Sequence, residues 1–244
     1  VIGAGHSTLV SIWVYLHTQP LLWLAATLAA YAIGAALHER AGRAPVVNAV
    51  AIAVALLVAI LLATGTSYAT YFEGAQFVHF LLGPATVALA VPLFRNRHVV
   101  ARALLPLGAA LLAGALTAAG SAMGIAWALG ASRETILSLA PKSVTTPIAM
   151  GISERIGGTP ALTAVLVILT GITGAVIATP LLNALGVRDW RARGFAVGLA
   201  AHGLGTARAF QVDQLAGTFA GIAVGLNGIA TAVLVPVLVG LLGL

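Results

Sequence analysis

The side chains able to do chemistry gather at two places in this chain. The first is Pro141-Lys142-Ser143-Val144-Thr145-Thr146-Pro147, which surrounds the only lysine of the sequence with three hydroxyls. The second is His202-Gly203-Leu204-Gly205-Thr206-Ala207-Arg208, where a histidine and an arginine bracket two glycines and a threonine. A cation among hydroxyl donors suits a carboxylate, and arginine adds a planar fork that grips both oxygens. His202 titrates in the physiological range and, with Glu73 and Asp213, is a candidate for coupling movement to protons. A third place is Gly83-Pro84-Ala85-Thr86, with Asn227-Gly228 further on. Pro84 removes a backbone donor and frees a carbonyl one turn back, which Thr86 or a ligand would satisfy.

Each of these residues has a plainer reading. Lys142 lies close to Arg133-Glu134 and could snorkel to an interface and meet a lipid phosphate. Arg208 could pair with Asp213, His202 could be a hydrogen bonder in helix packing, and Pro84 could be a packing kink. Two cation-and-hydroxyl motifs at two helix breaks weigh against all of these at once. No catalytic set is recognisable: there is no cluster of His and carboxylates for a metal, no nucleophile elbow and no phosphate-binding glycine loop. Neither an enzyme nor a cofactor or metal is expected.

These motifs must be positioned by elements that live in lipid. The chain is 60% hydrophobic and 7% charged, with a mean hydropathy of +1.06, outside the range of soluble domains. Uncharged runs at 18–37, 46–72, 74–94, 103–132, 156–187 and 214–244 each reach the roughly 20 residues that cross a bilayer. They do not alternate as barrel strands do. The fold class is therefore an all-α polytopic membrane protein of about six to eight transmembrane helices, some broken or re-entrant. It forms a single membrane domain over 1–244, with 1–17 a partial or interfacial helix. The start, Val1 to His6, lacks a basic region and a cleavage pattern, so no signal peptide is expected. The net charge of +6 sits in short loops between apolar runs, which speaks for orientation and against nucleic acid. Zero cysteines exclude disulfides and thiolate metal sites.

Loop charge sets the topology. Segments 38–43, 95–102 and 188–193 carry the arginines and are placed in the cytoplasm. If 133–152 crossed fully, Arg188, Arg191 and Arg193 would fall outside, so this segment is expected to dip in and return. Too few uncharged residues precede Arg208 for a clean span, which makes 194–210 a second re-entrant or broken element. Segments 72–94 and 214–243 look like matching interrupted spans, since Gly83 to Pro92 resembles Asn227 to Pro236. Running in opposite directions, they fit inverted repeats.

Leu139 to Met150 and His202 to Ala209 resemble the two signature motifs of the LrgB/CidB family. Leu82 to Leu93 matches a third, and Tyr71-Phe72-Glu73-Gly74 and Ile156-Gly157-Gly158-Thr159-Pro160 also fit, so the likeness covers about residues 18–243. The resemblance implies a multi-pass protein of the bacterial inner membrane, first described as a holin-like or antiholin-like modulator of murein hydrolase export and autolysis. It implies a small partner membrane protein of the LrgA/CidA type, and a homo-oligomer is expected. A plant relative is a plastidial glycolate/glycerate translocator, and bacterial relatives are linked to pyruvate and similar acids. That agrees with the carboxylate chemistry above. One departure is Ala216, where many relatives carry a glutamate before the glycine, here Gly217. Two functions stand: a secondary transporter of small monocarboxylates working by alternating access, or a holin-like regulator. A pore would concentrate polarity along one continuous helix, whereas here it concentrates at helix breaks.

Overall fold

The computed structural model describes residues 20–81, 84, 87–88, 90–95 and 97–244. The expectations for residues 1–17 and Thr86 lie outside the described residues. Those described form helices joined by short turns, with no strand among them. Four of the helices are long and apolar enough to cross a membrane, as a polytopic α-helical membrane protein requires. The chain divides into two compact units, Val1–Gly83 and Pro84–Leu244.

The first unit contains α1 (Pro20–Arg40), α2 (Ala49–Thr64) and α3 (Tyr68–Phe80). Asn48 caps α2 by accepting from the amides of Val50 (3.0 Å) and Ala51 (3.1 Å). Gly65, at φ 64°, ends it. The run expected to span over 46–72 is therefore cut at Gly65, and Ser67 caps the next helix. Gly34 lies against the Ala49 backbone, and Gly74 against Pro20 and Trp23. A methyl at either would drive α1 away from its neighbour.

The second unit contains α4 (Ala90–Arg95), α5 (Arg97–Arg102), α6 (Leu104–Ala128), α7 (Arg133–Leu139), α8 (Thr146–Ile156), α9 (Pro160–Ala184), α10 (Trp190–Val212) and α11 (Gln214–Leu242). Two sequence expectations are corrected here. Segment 95–102, expected as a loop, is largely helical, because Arg97 to Arg102 contains no helix breaker. α11 runs unbroken through Asn227-Gly228 and Pro236, so 214–243 is not an interrupted span. Pro236 there removes a backbone donor without ending the helix. Of Gly108, Gly114, Gly120 and Gly124 on α6, only Gly114 meets a described neighbour, Leu199.

Two helical hairpins dominate this unit. In the first, α7 and α8 flank a break at 140–145. Its ends come together: the Thr159 hydroxyl, just past α8, donates to the Glu134 carboxylate in the first turn of α7. The Thr159 amide donates to Ser138 Oγ (2.8 Å). The Thr163 hydroxyl lies 2.7 Å from Ser153 Oγ and 3.0 Å from the Ser138 carbonyl. Gly158 makes this possible, since a Cβ there would sit 2.5 Å from Ser153 Oγ and 2.9 Å from the Ser138 nitrogen.

α10 is the second hairpin. Ala201 (φ −125°, ψ 16°) and His202 (φ 43°, ψ −138°) leave helical geometry, and the chain doubles back. Val197 and Ala209 share one buried cluster, although a straight helix would hold them about 18 Å apart. A Cβ on Gly205 would likewise lie 3.0 Å from the Val197 carbonyl oxygen.

Candidate functional site

α9 orders the two hairpins. Thr159 and Thr163, at its start, hold the base of the first. Ala178 and Leu182, towards its end, pack against Val197, Ala209 and Ala216 of the second hairpin and the start of α11. The hairpins thus approach from opposite ends of α9, and their tips meet near its middle. At the first tip, Val144 packs with Val167. At the second, His202 places Nε2 2.8 Å from the Val167 carbonyl oxygen. Gly171 and Gly174 admit this tip: a Cβ on Gly171 would lie 2.7 Å from the His202 ring, and one on Gly174 would meet Ala201.

Asn227 joins the tips. It is 1% exposed at the middle of α11, and its Nδ2 donates to the carbonyls of Leu199 (3.1 Å) and Ser143 (3.3 Å). Its Oδ1 accepts from the Thr231 hydroxyl at 3.1 Å. Helix ends leave carbonyls unsatisfied, and Asn227 supplies the missing donors from a continuous helix. Its polar atoms are engaged by the protein, so it positions the tips.

Beside the tips runs a cleft of about 950 Å³. One wall is a stripe of α6 at helical spacing: Ala103, Leu107, Ala110, Gly114, Thr117 and Ala118. The other is the first arm of α10, from Asp189 and Arg191 through Phe195 to Leu199 and Ala200. Beyond Ala118, α6 turns to Ala119, Met123 and Ala126, which pack with Ile136, Leu137, Ala140 and Val144. Lys142 and Ser143 of the first tip also line the cleft. Lys142 Nζ lies 3.3 Å from Ser143 Oγ, and among the described residues no carboxylate forms an ion pair with it. Pro141 is buried behind it. Thr145 and Thr146 open α8, so the positive end of that helix sits at the tip. Thr145 Oγ1 is buried with no hydrogen-bond partner among the described residues.

At the opposite end of the α10 wall, Asp189 caps α10 and pairs with Arg191 at 2.7 Å. Hydrogen bonds from Arg191 hold the Asp189 carboxyl at about 2, well below the usual carboxylate range.

The remaining sequence candidates are spread out. Arg208 lines a small crevice with Trp190, Arg193 and Val212, separate from the Lys142 cleft, and its Nη1 donates to Gln211 Oε1 at 3.2 Å. Lys142 and Arg208 therefore do not share a pocket. Gly203, Gly205 and Thr206 belong to the return arm of the second hairpin, and the Thr206 hydroxyl donates to the His202 carbonyl at 2.9 Å. Asp213 caps α11 through the amides of Leu215 (2.8 Å) and Ala216 (3.0 Å). Glu73 is exposed on α3 of the first unit, and Pro84 is exposed in helical conformation. Ala216 is buried against the second hairpin. The hydroxyl set Ser138, Ser153 and Thr163 and the α6 wall were not singled out in the sequence. The one available signal for the first was three small hydroxyls among apolar residues on either side of Gly157-Gly158.

The chain was compared with known proteins. No solved structure matches it. Holin-like protein CidB of Staphylococcus aureus (strain Mu50) is 30% identical over 91% of this chain and 97% of its own length. The CidB of Staphylococcus epidermidis (strain RP62A) is 29% identical over the same shares. YwbG of Bacillus subtilis (strain 168) is 39% identical over 75% of this chain and 82% of its own. The model of the LrgB-like family matches residues 27–241. With that match across most of its length, and with holin-like relatives along nearly all of it, the chain belongs to the LrgB-like family.

Proposed function

We propose that this protein moves small monocarboxylates of the glycolate, glycerate, lactate or pyruvate type across a membrane. The observation that carries the reading is Lys142, on a hairpin tip, lining a large cleft between α6 and α10. A cleft with a binding group at a helix break is what an alternating-access carrier uses. Two hairpins from opposite ends of α9 supply tips that could be exposed to either side in turn. Lys142 and Ser143 would take the carboxylate, with the positive end of α8 and the unpartnered Thr145 hydroxyl nearby. Arginine-rich segment 188–193 favours the cytoplasmic side for the cleft mouth, and the adjacent ends of each hairpin favour re-entry over crossing.

A second reading is regulation of murein hydrolase export and autolysis in the holin or antiholin manner, with a small LrgA/CidA-type partner. The printed names of the CidB relatives favour it. The geometry favours transport, because polarity is gathered at two hairpin tips and not along one continuous helix.

Uptake into proteoliposomes decides between them. The transport reading expects saturable uptake of at least one acid from a panel of glycolate, glycerate, lactate and pyruvate. Lys142→Ala is expected to reduce it at least about a hundredfold, as for loss of a charge-assisted contact of about 3 kcal/mol, while insertion is unchanged. Leakage of unrelated dyes with no saturable uptake would instead establish the holin-like reading.

A further inference from the structure

We propose that Lys142 is itself the coupling group, carrying one proton with each carboxylate; this rests on the transport reading above. Eleven of the twelve lysine and arginine side chains are arginines, and the single lysine lines the cleft. Charge alone does not require that choice, since a guanidinium binds a carboxylate at least as well. What lysine adds is the ability to lose its proton, which arginine does not do in proteins.

The surroundings give this ability a use. Among the described residues no acid forms an ion pair with the ammonium at this position. On α7 and α8, Arg133, Glu134, Glu154 and Arg155 sit at the hairpin base, where Glu134 accepts from Thr159. On α10, Asp189 is paired with Arg191 at the other end of the wall, and His202 is buried against the Val167 carbonyl. α6, α9 and α11 contain no titratable side chain. Once the cleft closed, an empty charged carrier would hold an unpaired ammonium in an apolar enclosure, which is strongly unfavourable.

A cycle follows in which charge balances at each step. Lys142 takes a proton from water on the loading side, and its ammonium binds one carboxylate. The ion pair, neutral as a whole, passes to the other side. There the carboxylate leaves, the Nζ proton goes to water, and the neutral amine returns. One proton and one carboxylate cross together with no net charge. His202, Glu73 and Asp213 are not needed for coupling.

The test uses full-length protein in proteoliposomes with labelled glycolate, lactate and pyruvate. Wild type should accumulate acid down an imposed pH gradient and ignore an imposed membrane potential. Lys142→Arg should keep exchange of internal for external acid, since the loaded form still crosses, and lose net pH-driven uptake by at least about tenfold. Net uptake at the wild-type rate in Lys142→Arg would overturn the proposal. So would wild-type uptake that follows potential and ignores pH. If Lys142→Arg loses exchange as well, the proposal falls too, since its loaded form is required to cross. Absence of wild-type exchange for every acid would overturn the transport reading itself, a distinct outcome.

Discussion

Segments 133–184 and 190–242 are built to one plan: a hairpin, a short connection, then a full-length helix that runs back along the hairpin's first arm. Corresponding contacts occur at corresponding places. In the first segment, Glu134 meets Thr159 and Ser138 meets Thr163. In the second, Gly194 meets Ala216 and Gly198 meets Ala220. The plan is held by hydroxyl hydrogen bonds in one case and by backbone contact across glycines in the other. The tips differ as well. The first reverses through a loop that presents Lys142 to a cleft, while the second reverses at two residues sunk against Gly171 and Gly174. One tip lines a cleft and the other is a packed counterpart, although both read in sequence as a cation among hydroxyls.

Glycine contact should be the less forgiving device. A methyl on Gly198 would run into the Ala220 backbone carbonyl, which no side-chain rotation can relieve. Gly198→Ala is expected to destabilise the protein by about 3 kcal/mol, read as a lower unfolding midpoint in detergent. Gly120→Ala on α6 meets no described atom within 4 Å and should stay within about 0.5 kcal/mol of wild type. Equal effects of the two substitutions would remove the basis for the comparison.

Asn227 is the link between the two segments, so its loss should affect both. Asn227→Ala leaves the Ser143 and Leu199 carbonyls without their donor and is expected to cost about 2 kcal/mol. Because Ser143 shares the cleft with Lys142, uptake should fall too. Lys142→Ala, by contrast, should lose uptake with its unfolding midpoint unchanged. A stable Asn227→Ala with full uptake would show that the tips are held some other way.

The two segments were not equally legible. A break in the first segment could be read because Pro141 and Pro147 bracket it, and loop arginines disfavour a full crossing. The second declared a break through its short apolar run before Arg208, but not where it folds. Nothing in the residue types of Ala201-His202 signals a reversal, since the left-handed geometry falls on a histidine beside available glycines. The spacing Gly194-x-x-x-Gly198 was a readable sign of close helix approach. The partner is supplied only by the reversal, which brings α11 alongside. The prolines point to a repeat pairing 83–92 with 227–236, whereas the structural repeat joins hairpin-plus-helix segments that share few residue types. Arg208 was assigned to the same site as Lys142 by likeness of motif; position along a doubled-back helix puts it beside Trp190 instead.

His202 offers the finest separation between the tips. Its backbone, at φ 43°, occupies a region that favours glycine, while its ring holds the Val167 carbonyl. Alanine removes the ring bond and keeps the backbone strain; glycine removes both. His202→Gly should therefore be the more stable variant of the two, by about 1 kcal/mol, when their unfolding midpoints are compared. A more stable His202→Ala would mean that the second tip relaxes into ordinary helical geometry once the ring is gone. The reversal would then be imposed by the hydrogen bond to α9 and not by the fold of α10 itself.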